Sequence, residues 1–100
     1  MPLLKIDLQD GFKNDALRIT VNSHVVYEKR GLSTNLAISY ADGIEVPVDA
    51  PRAEVLVELI SRGKKATQSV SPGETPFLAV SVSSDGVIEC KTSTEPFIYM

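Results

Sequence analysis

The chain has no tryptophan, one cysteine and one histidine, and only six aromatic residues among one hundred. A lone cysteine cannot close an internal disulfide, on which small extracellular domains usually depend. One histidine with one cysteine falls short of the three or four ligands of a zinc site unless a symmetry mate contributes. Few rings also leave little for stacking sugars. Basic residues never gather into a block: the densest groups are Lys29-Arg30 and Arg62 with Lys64-Lys65, and the net charge is −3. A nucleic-acid partner is therefore not expected, because displacing counterions from phosphates takes a basic stripe. No apolar run reaches the length that spans a bilayer, so no membrane partner is expected either. Met1-Pro2-Leu3-Leu4 is followed at once by Lys5 and Asp7, which leaves no apolar segment for a secretory signal. The compartment expected is the cytoplasm.

What the chain does have is period-two alternation. Leu4, Ile6 and Leu8 alternate with Lys5 and Asp7; Leu17, Ile19 and Val21 with Arg18 and Thr20; Leu36, Ile38 and Tyr40 with Ala37 and Ser39. The pattern returns at Val55, Val57 and Leu59, at Leu78, Val80 and Val82, and at Ile88 and Cys90. A strand with one face on a core and one in water produces this pattern, since successive side chains point to opposite faces. Turn formers separate the runs: Asp10-Gly11, Asn22-Ser23, Arg30-Gly31, Asp42-Gly43, Arg62-Gly63, Ser71-Pro72-Gly73 and Asp85-Gly86. The one stretch with a claim to helix, Ala50–Ile60 behind Pro51, carries its apolar residues at strand spacing and reads as strand. The core expected from these phases is Ile6, Ile19, Val21, Ile38, Val57, Leu59, Val80 and Ile88.

The only histidine lies in TVNSHVVYE, at a hairpin. A two-residue Asn22-Ser23 loop pairs Val21 with His24. A three-residue loop instead pairs Val21 with Val25 and Ile19 with Tyr27, which collects more apolar surface on one face and is preferred. Either register leaves His24 at the tip, solvated. A Cys–His nucleophile would need Cys90, but Cys90 alternates in phase with Ile88 and should face the core as a small hydrophobe.

Other constellations have structural readings. Asp7, Asp10 and Asp15 could offer hard oxygens to calcium, but their spacing lacks the EF-hand pattern and its closing glutamate. Asp42, Glu45 and Asp49 form a second acidic stretch with the same polar-loop reading. Glu54 and Glu58 share a strand face, where a solvated pair is the simpler account than glycosidase carboxylates. No nucleophile elbow, S-x-x-K motif or phosphate-cradling glycine loop is present. The C-terminus is unusual for ending apolar. In TEPFIYM, Pro96 marks the start of an edge strand or bulge. Phe97 and Tyr99 then point one way, Ile98 and Met100 the other. These four residues are the candidate partner interface, with one face expected on the chain's own core.

The segment LRITVNSHVVYEKRG resembles the strand–tight turn–strand–Gly opening of small transthyretin-like and carboxypeptidase-regulatory-like β-sandwiches, including PEGA-type modules, with Ser23 where those usually place Gly. The chain is also similar to uncharacterised bacterial β proteins of about this length that end in E-P-F plus an aromatic, here Glu95, Pro96, Phe97 and Tyr99. The resemblance implies a non-catalytic structural or binding module and supplies no catalytic residue. The expected fold is all-β: a single antiparallel β-sandwich of about seven to nine strands in one domain. The expected function is a non-enzymatic binding or accessory module without cofactor or metal, its partner an unknown protein or a second copy. The alternatives are a structural homo-oligomer built on the C-terminal segment and, third, a hydrolase whose site carries no known motif.

Overall fold

Inward rows of Leu, Ile and Val organise the chain. The computed structural model describes residues 3–97. Eight strands follow in order: β1 (Leu3–Leu8), β2 (Asp15–Val21), β3 (His24–Leu32), β4 (Asp42–Pro47), β5 (Ala53–Leu59), β6 (Lys64–Val70), β7 (Phe77–Val82) and β8 (Ile88–Ser93). A short 3-10 turn, Ile60–Arg62, joins β5 to β6. No helix among the described residues is long and apolar enough to cross a membrane.

The strands form two four-stranded sheets, β4-β1-β7-β8 and β3-β2-β5-β6. Leu4, Ile6, Leu78 and Val80 of the first sheet join Leu17, Ile19, Val55 and Val57 of the second in one core, each fully buried. Burying such a side chain contributes roughly 1.5–3 kcal/mol, so these rows dominate the fold's energetics. At one side of the molecule β3 meets β4, where the Tyr27 hydroxyl donates to Asp42 Oδ2 at 2.9 Å. At the other, β6 approaches β8.

Several expectations are corrected. The second sheet is antiparallel throughout, but in the first β1 runs parallel to β7, with Ile6 opposite Leu78 and Leu8 opposite Val80. The chain reaches β7 from the other sheet through β6, and a connection that changes sheets imposes no hairpin direction. Leu36–Tyr40 is not a strand. Asn35 Oδ1 accepts the Ala37 N–H at 3.1 Å, as in an Asx turn. The Ile38 N–H donates to the Asn35 carbonyl at 3.2 Å, and Ser39 has φ 54°. Ile38 consequently leaves the core and is only half-buried, and Leu36 is 86% exposed. Asp42-Gly43 is no turn but the start of β4. Arg30-Gly31 does not end β3, which continues to Leu32. Ile88 is half-buried, packed against the core's margin. The other six expected core residues are buried.

The hairpin combines both registers weighed above. Asn22 and Ser23 make the two-residue loop, with φ 47° and 71°, and Val21 pairs with His24. The register then slips, and Ile19 pairs with Tyr27. Val26 is the extra residue, a β-bulge. The bulge turns Tyr27 onto the face that the core requires, while Val25 stays 57% exposed.

Candidate functional site

The residues with chemical potential are dispersed over the fold. His24 is exposed on edge strand β3, and Cys90 lies in β8, the far edge strand of the other sheet. Burial pushes the Cys90 thiol above its usual pKa, which suppresses the thiolate that a nucleophile needs. Among the described residues, no group of three or more His, Cys, Asp or Glu side chains is placed to hold a metal ion.

The first acidic stretch is pulled apart by the fold. Asp7 is buried on β1, and Asp10 is exposed. Asp15 is buried at the start of β2, at the opposite end from the β2–β3 hairpin. There Arg62 donates from Nε to Asp15 Oδ1 at 3.0 Å and from Nη2 to Oδ2 at 2.8 Å. The Ser61 hydroxyl and the Lys13 N–H donate as well, at 2.7 and 2.8 Å. Arg62 also reaches the Gly11 carbonyl at 3.0 Å. A carboxylate so fully engaged by its own chain is a clasp between the β1–β2 loop and the 3-10 turn, and it leaves little lone-pair capacity for a cation. In the second stretch, Asp42 accepts from Tyr27 and lies 3.7 Å from Lys29 Nζ. Burial, then Asp42, pushes the Tyr27 hydroxyl far above its usual pKa. Glu54 accepts from Ser69, and Glu58 Oε1 lies 4.0 Å from Arg18.

Of the C-terminal interface candidates, Ile98, Tyr99 and Met100 lie outside the described residues. Phe97 is half-buried. β8 ends at Ser93, so Pro96 and Phe97 belong to no strand.

A concave surface forms instead where β3 meets β4. A groove of about 450 Å³ is lined by Val21, Val26, Val46, Val48, His24 and Asp49 with their neighbours. Val21, Val46 and Val48 are buried and make the floor; His24, Pro47 and Asp49 are exposed at the lip. Local chemistry holds the walls. Asn22 Oδ1 accepts the Glu54 N–H at 2.8 Å, and the Asn22 N–H donates to the Glu54 carbonyl at 3.0 Å, tying the hairpin tip to β5. Ala50 joins this groove to a second depression, of about 730 Å³, between Pro51, Arg52, Ser71 and Glu74. Four of the six prolines, Pro47, Pro51, Pro72 and Pro76, bracket the two loops at this end. Fixed φ at each stiffens those loops.

Sequence reasoning placed His24 at a hairpin tip but missed the groove. Its floor comes from the ends of β2 and β4, in different sheets, which no local pattern brings together. The proline clustering was the one legible sign. Compared with protein-family models, curated proteins and solved structures, the chain matches none.

Proposed function

We propose that the chain is a non-catalytic binding module on a β-sandwich frame, and that it takes an apolar group of its ligand into the groove between the β2–β3 hairpin and the end of β4. One observation carries this reading: a valine-floored concavity of about 450 Å³, one wall of which, the loop after β4, is stiffened by Pro47 and Pro51. Binding pockets are commonly of this size, mostly apolar and largely preformed. A rigid wall reduces the ordering entropy that association costs. His24 and Asp49 at the lip supply polar contacts that orient a ligand, such as the backbone amides of a short apolar peptide.

The test is a titration of the labelled protein with N-acetylated dipeptides bearing leucine, valine or phenylalanine, followed by amide NMR shifts. Saturable shifts confined to 21–26 and 46–50, weakened by His24→Ala and Asp49→Ala, are expected. Shifts scattered over the surface, or none at about 10 mM ligand, would dismiss the reading, since such affinity is weaker than about −3 kcal/mol.

A further inference from the structure

We propose that β8 pairs with β8 of a second copy of this chain, antiparallel about a two-fold axis at Cys90, so that the sheet β4-β1-β7-β8 continues into its mate. The two sheets have four edges, β4 and β8 in the first and β3 and β6 in the second. An edge strand exposes unpaired backbone groups, and proteins blunt edges that are not meant to pair. β3 is broken by two register shifts. β4 carries Pro47, which lacks an N–H, and among its charges Asp42 and Glu45 have no cation of their own strand to oppose them. β6 has the converse charge, Lys64 and Lys65 with no acid. β6 and β8 both pair with their neighbours without a shift and contain no proline, but of the two only β8, from Ile88 to Ser93, carries both signs.

Charge then selects the register. Residues directly opposite in an antiparallel pair point to the same face, and opposite charges there are favourable while like charges are not. A two-fold at Cys90 sets Glu89 against Lys91 of the second copy, twice by symmetry, and Ile88 against Thr92. An axis at Glu89 or at Lys91 opposes two like charges instead. An axis between residues sets inward side chains against outward ones. Glu89 and Lys91 are both exposed, and neither has an ion-pair partner among the described residues. On β7 they stand opposite Ser81 and Ala79, neither of which is charged. Ile88 and Cys90, half-buried against the core, gain cover from the added strand. The contact is isologous, so it closes at two copies.

Charge reversal read by sedimentation equilibrium tests this. The wild type should form a dimer whose dissociation constant rises at least about tenfold in Glu89→Lys and in Lys91→Glu, because each single change opposes like charges. The double exchange, Glu89→Lys with Lys91→Glu, should restore it to within about threefold of wild type. An equimolar mixture of the two single variants should also dimerise, since one then carries two cations where the other carries two anions. All changes are at exposed positions, so an unchanged thermal midpoint shows that each variant is folded. A wild type monomeric at about 1 mM, single variants that dimerise as well as wild type, or a double exchange as weak as the singles would each overturn the proposal.

Discussion

The clasp around Asp15 is the residue-scale feature with the largest expected effect. The carboxylate is 3% exposed and its Arg62 partner 29% exposed. Burial raises the carboxyl's pKa, but hydrogen bonds from Arg62, Lys13 and Ser61, with the Arg62 charge, outweigh it and hold the group below its usual 3.8. Removing Arg62 leaves a buried carboxylate without its counter-ion. Arg62→Ala should lower stability by about 2–4 kcal/mol, less than a fully buried pair because the guanidinium is partly in water. The lowered pKa also sets a pH dependence. The folded state releases the Asp15 proton more readily than the unfolded chain. Its contribution is therefore fully present above the unfolded value near 4 and is lost as pH falls through the lower folded value. Urea unfolding across this range should show a slope in the wild type that Asp15→Asn reduces; equal slopes would show that the clasp is not coupled to protonation.

At the scale of elements, the β2–β3 hairpin shows how a turn and a sheet can prefer different registers. Asn22-Ser23 adopts positive φ at both positions, which suits the right-handed twist of the flanking strands. That turn alone would send Val26, not Tyr27, to the position opposite Ile19. The bulge at Val26 reconciles the two. Ser23 is the weak link, because a residue with a Cβ at φ 71° is strained by roughly 1 kcal/mol. Ser23→Gly should raise stability by about 0.5 kcal/mol, the relief of strain exceeding the extra freedom of the unfolded chain. A lower thermal midpoint in that variant would mean the turn is held by something other than its own geometry. Edge strands carry the other element-scale contrast. Beside the groove, β3 is broken by register shifts and β4 ends in Pro47, while β8 is unshifted and mixed in charge, so the proposed ligand groove and the proposed self-pairing edge lie on opposite sides.

Across the whole molecule, the two sheets share one core, so neither has an apolar face to keep if the other unfolds. Unfolding should be a single cooperative transition. Val57 lies in the second sheet and Val80 in the first, both fully buried. Val57→Ala and Val80→Ala should each lower the same midpoint, by about 1–3 kcal/mol. Circular dichroism and tyrosine fluorescence should report that midpoint together. Two separated transitions, each sensitive to one of the variants, would show instead that the sheets are independent units.

How much of this the sequence decided follows from range. Period-two alternation is a local consequence of the pleat, so the strands with one buried face, β1, β2, β5 and β7, were legible from Leu4, Ile19, Val57 and Val80. Glycine, proline and Asx turns at Asp10-Gly11, Ser71-Pro72-Gly73 and Asp85-Gly86 were legible for the same reason, because their φ preferences are properties of single residues. The failures are non-local. Leu36, Ile38 and Tyr40 alternate well enough for a strand, yet Asn35 draws the backbone into a turn and no neighbouring strand competes for it. β6 is polar because it sits at an edge, and an edge exists only once the sheet is assembled. The parallel pairing of β1 with β7, the bulge at Val26, the union of Asp15 with Arg62 and the groove between β2 and β4 each join residues far apart in the chain or settle a conflict between a turn and a core. Loop closure and burial, summed over the whole molecule, decide those, and no window of sequence contains both partners.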